Sequence, residues 1–434
     1  MSELKGTSFH RRFLASLAGG TALVGAASAA QAGSPVAIPA NMLPQGGHFV
    51  AGMGSIGTQG LTETITQSSQ RGIIDFNSFS IGKSGTVKIN NGAGATLDRV
   101  TGGSLSQIMG TLSATGSVYL VNPQGVVVGK SGIVTTGGSF VASSLDIANQ
   151  NFMAGQTLRF EGKGQSDGMV KNLGSISSSG GDVFLIARSV VNSGSINAPN
   201  GTVGLGAGQE VLLKDMSVGG GRMTVRFGKG DVRNKGTIAA VQAELKAAGG
   251  NVYALAGNHS GMIRATGSAM RGGHVWLTAG GSVFAGGSIF ARNHDGSGGR
   301  VTIKARKLAK VTGRIDASAA SGTHSKSGGR VIVTGHDVTL GKNAVIDARG
   351  TGDGGTVLIG GDRQGGAVKA QDFAKHAIAN AQTTVVEAGA QILVDGGAGG
   401  GVGNGGNVIV WSDQHTVFAG TISVTVVNAT GTIT

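Results

Sequence analysis

Asp316 and Asp347 are the residues that most resemble a catalytic pair. Each follows an isoleucine in a short phrase, GRIDA and AVIDA, 31 residues apart. If those phrases are one position of a repeat, the two carboxylates lie near each other on neighbouring units, and carboxylates gathered on one face are what calcium binding or acid–base chemistry needs. Asp295, Asp337, Asp353, Asp362, Asp395 and Asp413 add to the supply. An Asp after an inward Ile is more simply an outward turn residue, and no third carboxylate joins the pair by sequence, so no catalytic residue is assigned. The 9 His form no His-x-x-x-His pair and there is no Cys, which leaves no zinc pattern and no disulfide framework. GMGSIG (52–57) and GVGNGG (401–406) match G-x-G-x-x-G, but 82 glycines make such matches expected by chance, and neither follows a strand and opens a helix. GGAGGGVGNGG (396–406) lacks the Asp of a calcium nonapeptide. No cofactor and no metal are assigned. Trp276 and Trp411 follow Gly-Gly turns at positions that alternation points outward. There they could stack on sugars, though packing under a long turn is the simpler role.

The elements that would carry these residues are short strands. The chain has 434 residues, 82 Gly and only 5 Pro, with no Gly-X-Y period, so neither collagen nor disorder fits. Mean hydropathy is +0.12, and Val, Ile and Leu occur in alternating runs between Gly-rich turns. The net charge of +13 admits partners with negative charge. No run of five basic residues occurs and aromatics do not interleave with charges, so nucleic acid is not a partner.

Residues 1–32 read as a secretory signal peptide. Lys5, Arg11 and Arg12 form a basic head, Phe13 to Ala27 an apolar core, and Ala30-Gln31-Ala32 a small-x-small site that places cleavage between Ala32 and Gly33. The core is short and Gly/Ala-rich for a membrane span. The general secretory route is favoured over the twin-arginine route.

From about residue 170 the chain repeats. NLGSISSSGGDVFLIA (172–187) realigns with NSGSINAPNGTVGLGA (192–207), setting Asn172 on Asn192, Ile176 on Ile196, Val183 on Val203 and Leu185 on Leu205. GG-x-V phrases recur at Gly249, Gly272, Gly298, Gly328, Gly354 and Gly405, with companion strands around Ile289, Ile315, Ile346 and Ile422. Each unit reads as two strands. The jump from Gly354 to Gly405 reads as two units, one holding QDFAKHAIANAQ (371–382) as a short helix or protruding loop. One such unit cannot close a core, but stacked units can. The prediction is an all-β, right-handed parallel β-helix of about ten coils, roughly 50 Å long at ~4.8 Å per coil.

The segment before the repeats carries longer phrases: LPQGGHFVAGMGSI (43–56), ITQSSQRGIIDFNSFSIGKSGTVKI (65–89), LDRVTGGSLSQIMGTLSATGSVYLVNPQGVVVGKSGIV (97–134) and GGSFVASSLDI (137–147). Together they resemble the secretion domain of two-partner-secretion exoproteins, the filamentous haemagglutinin and high-molecular-weight adhesin family. The resemblance implies that residues 33–160 form a secretion domain, itself β-helical, and 161–434 a β-helical shaft. It implies a dedicated outer-membrane β-barrel transporter as partner. It also implies a secretion motif at Asn122, Pro123, Gln124, Gly125 and Val126, where Gln124 departs from the family's usual Asn. Physically, Asn-Pro-x-Gly is a β-turn, with Pro presetting φ and Gly accepting positive φ.

The function expected is therefore a secreted or surface adhesin, reached through the periplasm, that binds surfaces or anionic glycans and is not an enzyme. The alternatives are a polysaccharide-active β-helix enzyme, to be recognised by three or more carboxylates lining one groove, or a haem-scavenging or cytolysin-type exoprotein of the same family. SVTVVNATGTIT (423–434) ends without a capping element, as a truncated product or an N-terminal fragment would.

Overall fold

The computed structural model describes residues 37–162, 168–214, 222–226, 230–247, 255–258, 262–266, 273–366 and 378–427. The signal peptide and its cleavage site lie outside them, as do residues 371–377 and 428–434. Residues 37–434 form one compact unit.

That unit is a parallel β-helix. Most coils of the repeat region have three strands, and in two coils a pair of them runs on as one, Ser195–Ala207 and Thr237–Ala247. Arg300–Ala305, Leu308–Val311 and Arg314–Asp316 make one coil, and Arg330–Thr334, Asp337–Leu340 and Val345–Asp347 lie parallel on them in register. The two-strand unit read from the sequence thus lacked a strand. Its members, such as Ser282–Ala285, Leu308–Val311 and Thr383–Val386, are only four residues long, with two inward side chains each. Nine such strands, from Met169–Asn172 to His415–Phe418, stack in this sheet among the described residues, close to the ten coils expected.

The shift of 20 is borne out residue by residue: Asn172 pairs with Asn192, Ile176 with Ile196, Val183 with Val203 and Leu185 with Leu205. Two other alignments are corrected. GGNVYALA is not the counterpart of GGHVWLTA, because Gln242–Ala247 pairs with His274–Ala279, while Leu255 and Ala256 pair with Ser282 and Val283 in the other sheet. Residues 249–254 are not described. The span from Gly354 to Gly405 is one coil, since Thr356–Ile359 pairs directly with Asn407–Val410. Within its extra length Arg363–Gly366 is a 3-10 turn and residues 378–382 are neither helix nor strand.

The lumen holds the main core: Val301, Ile303, Ala309, Val311 and Ile315 are fully buried, with Val331, Val333, Leu340 and Ile346 on the next coil. Register places like on like, so each inward side chain packs on one above and one below.

The first coils differ. The hairpin Gly54–Gln59 and Thr62–Gln67 is antiparallel, and its two-residue turn begins at Gly60, whose φ of +58° suits a primed turn. His48–Ala51 runs antiparallel to Arg71–Phe76. Outside the helix a four-stranded antiparallel sheet of Asp146–Ile147, Leu158–Glu161, Glu210–Lys214 and Arg222–Arg226 covers one face. With the helix Asn149–Ala154 it closes a second core of Leu97, Tyr119, Val141, Phe152, Phe160 and Phe184. The Phe152 ring meets Tyr119 edge-on at 5.2 Å, and the Arg71 guanidinium lies 5.0 Å from its centre.

Candidate functional site

The Asn-Pro-Gln-Gly segment joins the strands Ser117–Val121 and Gly125–Val128. Its turn closes through Gly125 N–H donating to the Asn122 carbonyl at 2.8 Å. The Asn122 amide nitrogen donates to the Ser104 carbonyl at 2.9 Å and the Ser106 hydroxyl at 2.8 Å. Its side-chain oxygen accepts from Gln124 N–H at 2.9 Å. Asn122 is wholly buried and so ties the turn to the coil below. Gly125 has φ +108°, and a Cβ there would stand 2.5 Å from the Met169 carbonyl oxygen. Two requirements, backbone conformation and close approach, therefore select glycine. Val126 fills the lumen between Ser106 and Val170. Pro123 is half-buried, and Gln124 is the one exposed residue of the five. Ser104 and Ser106 were not legible as partners, because they lie on the preceding coil.

A related device runs down the same sheet. Asn172 donates to the Asn192 side-chain oxygen at 2.9 Å, and Asn192 to that of Asn234 at 2.8 Å, all fully buried. This ladder satisfies polar groups at a strand end that would otherwise be orphaned.

Asp316 and Asp347 do stand in register. Asp347, almost fully buried, accepts from Arg349 at 2.7 Å and from Arg314 at 2.8 Å, and Arg314 reaches Asp316 at 3.2 Å. Burial pushes the Asp347 carboxyl up, but the hydrogen bonds and charge of Arg349, with Arg314 beside it, outweigh this and hold it below its ordinary value. The pair is an ion-pair network with both carboxylates committed to arginines.

Three other carboxylates do share one groove. A cleft of about 490 Å³ is lined by Asp146, Glu161 and Glu210, with Arg159 between them. Arg159 bonds Glu161 at 2.6 Å and Glu210 at 2.9 Å, while Arg99 takes Asp146 at 3.0 Å. The number expected of an enzyme is reached, but all three are engaged by guanidinium groups. Among the described residues no group of three or more His, Asp or Glu could hold a metal ion.

The two tryptophans part company. Trp411 packs over Gly361 and donates to Asp413 at 3.1 Å, which is the turn-packing role. Trp276 stacks on His274 with ring centres 3.3 Å apart, on an outward face. His274 also meets the Thr302 hydroxyl at 3.0 Å. The outward positions of this and the next two strands are His274, Trp276 and Thr278, then Arg300, Thr302 and Lys304, then Arg330 and Ile332. His274, Arg300 and Arg330 align in register. A basic column thus forms from residues about one coil apart, which a search for basic runs does not see.

The TPS secretion domain family matches residues 40–290. The HMW1 secretion domain from Haemophilus influenzae has a similar structure, with a TM-score of 0.66 and 28% identity over 88% of this chain and 90% of that one. A heme/hemopexin-binding protein from Haemophilus influenzae strain Rd is 34% identical over 48% of this chain. A second protein of that name and species is 40% identical over 19% of it. The chain spans 24% of the first relative's length and 9% of the second's. The match to more than half of its residues, on a parallel β-helix, establishes that the chain belongs to the two-partner-secretion family, exoproteins carried across the outer membrane to the cell surface or beyond by a dedicated outer-membrane transporter.

Proposed function

We propose that the chain is an adhesin-like exoprotein whose coils present a basic, aromatic face to anionic glycans. The observation that carries this is the exposed pair Arg300 and Lys304 beside the outward Trp276 and His274; Arg330 continues the column in register, but its Nε and one Nη are buried. The strands that bear it carry no Asp or Glu. Guanidinium groups match sulfate and carboxylate geometry, and an aromatic ring presents a face on which a sugar stacks. The mechanism is binding through many shallow contacts, without catalysis. The test uses dextran sulfate, with neutral dextran as control, and the mature chain. Arg300→Glu with Lys304→Glu should weaken binding at least tenfold, and neutral dextran should not bind. Equal binding by wild type and the double variant sinks the assignment.

In this reading residues 1–32 are removed between Ala32 and Gly33, residues 33–160 carry export, and residues 161–434 form the display shaft. The turn Asn122 to Val126 acts in export by fixing the fold, because Asn122 has no surface left to offer a partner. Folding outside the cell would then keep the chain from sliding back. Export of a tagged chain with and without a cognate transporter tests it: Asn122→Ala should reduce the exported amount strongly. Transporter-independent release would remove the basis of the scheme.

A second reading has one support. Both similar curated proteins are named heme/hemopexin-binding. Absorbance titration of the purified chain with haem separates the two readings, since a glycan-binding face predicts no saturable Soret shift.

A further inference from the structure

Two carboxylates sit where the lumen elsewhere holds hydrocarbon. On Ala95–Val100, Asp98 stands in register between Ile74 on the coil below and Leu120 on the coil above. Both neighbours belong to the luminal core, so Asp98 points inward with them. It is fully buried, and neither carboxyl oxygen has a hydrogen-bond partner. Glu63 points inward from Thr62–Gln67, two residues before the core residue Ile65 and opposite Val87. It is 5% exposed and its Oε1 is also unpartnered. Polar neighbours in the same lumen are satisfied: Thr96 donates to Gln67 at 2.9 Å, and Asn91 donates to Thr96 at 2.9 Å. The two acids are left out of that network.

Among the described residues no cation faces them. The charged groups on the strands packed around the pair are Arg71, Asp75, Lys88 and Arg99. Arg71 turns outward to the Phe152 carbonyl, Lys88 is exposed, and Arg99 pairs with Asp75 and Asp146 outside the helix. Tyr119, beside Leu120, lies in the outer core. Thr58 is the residue opposite Glu63 on the hairpin. An ionised carboxylate at Asp98 has neither water nor partner, and at Glu63 one oxygen has neither, so the neutral acid is the form the fold accepts.

We propose that the secretion domain folds as a protonated species, with Glu63 and Asp98 taking up protons as the first coils close, so that its stability falls as pH rises. Desolvation raises Glu63 from 4.5 to about 7. Desolvation first, and then the charge of Glu63, raise Asp98 well above its ordinary value. Both folded values lie above the unfolded ones. The contribution is therefore fully present below the ordinary carboxylate range and is lost as pH rises toward and through about 7. Each proton taken up changes the folding constant by about tenfold per pH unit inside that window. A link to export follows only if folding outside the cell drives transit, as proposed above; the proton coupling stands without it.

The experiment is hydrogen exchange on the mature full-length chain from about pH 5 to pH 8, corrected for the intrinsic rate. Strands Thr62–Gln67 and Ala95–Val100 report the pair, and Arg300–Ala305 is the internal control. The opening constant of the first two should rise by up to a hundredfold per pH unit below about pH 7, where both acids hold their protons, and by up to tenfold above it, while the control stays flat. In Glu63→Gln with Asp98→Asn, which mimics the neutral acids, that slope should vanish. A slope that survives the double substitution, or its absence in wild type, overturns the proposal. If the variant does not fold, infrared spectroscopy of wild type at about pH 6 decides. A carbonyl band of un-ionised carboxyl supports the proposal and its absence refutes it. Neither readout uses the transporter, so failure of the export scheme is separately visible.

Discussion

The first coils and the later ones use the same helix with different outer faces. In the first coils Thr86–Asn90 and Ile133–Thr136 alternate in burial, while some strands are buried on both sides: Gly125–Val128 and Val183–Ala187 are buried at every position. Their sequences, GVVV and VFLIA, run apolar without a break, as two-sided burial requires. In the later coils His274–Ala279 and Arg300–Ala305 alternate buried with exposed or half-exposed positions. For Val183–Ala187 the difference is the outer sheet and the Phe152 helix, whose second core takes in Phe184 and Ile186. A coil with one core depends on its neighbours above and below, while a coil with two is also clamped from the side. The first region is thus suited to fold as a unit, and the later coils to extend from it.

The most damaging way to break this contrast is to empty the outer core. Phe160 is fully buried there, opposite Val211. Phe160→Ala should cost about 3–5 kcal/mol. Urea unfolding followed by hydrogen exchange should show the loss in the first coils and leave Arg300–Ala305 unchanged. A smaller deletion in the single-core region, Ile303→Val, should cost about 0.5–1.5 kcal/mol and act on adjacent coils. A Phe160→Ala loss spread evenly over all coils would erase the distinction.

Asn122 sharpens the contrast at the level of hydrogen bonds. Asn122→Ala leaves the Ser104 carbonyl and Gln124 N–H without their partner and should cost about 1–3 kcal/mol. Asn122→Asp tests the same point, since an acceptor-only side chain cannot donate to Ser104 and Ser106. It should be as harmful at neutral pH, by the same unfolding measurement.

The two regions should also answer acid in opposite ways. Asp347 has its carboxyl held low by Arg349 and Arg314 against the upward push of burial. Its contribution is present above the unfolded value of 3.8 and is lost as pH falls through and below it. Both arginines are about 40% exposed, so solvent screens the pair, and Asp347→Asn should cost only about 1–2 kcal/mol. Exchange of the coil containing Val345–Asp347 between about pH 5 and 2.5 should show the loss in wild type and little pH dependence in the variant.

Much of this was legible in the sequence where the period was short and unbroken. The shift of 20 predicted the pairing of Asn172 with Asn192, because no insertion separates those coils. The Gly249 phrase misled because a Gly-Gly turn and an alternating strand are not specific to one face of the helix. The third strand was missed because four residues with two inward side chains, such as Leu308–Val311, give too little periodicity to separate from a turn. The outer sheet was missed for a different reason. Its strands come from 146–161 and 210–226, and nothing local says that they meet. At the candidate motif the turn was readable from Asn, Pro and Gly, but the burial of Asn122 was not, since it depends on Ser104 and Ser106 one coil away. The basic face escaped because Arg300 and Arg330 are neighbours only through the register.

The smallest expected effect is the most discriminating for the motif. Gln124 is exposed, and its backbone N–H donates to the Asn122 side-chain oxygen. Gln124→Ala keeps that N–H and should change stability by no more than about 0.5 kcal/mol. If the motif serves export only through the fold, Gln124→Ala should be exported at the wild-type level while Asn122→Ala is not. If the transporter reads the turn through its exposed side chain, Gln124→Ala should lose export with its unfolding curve unchanged. The two measurements together, secreted amount and urea midpoint, decide between a turn that builds the first coils and a turn that is recognised.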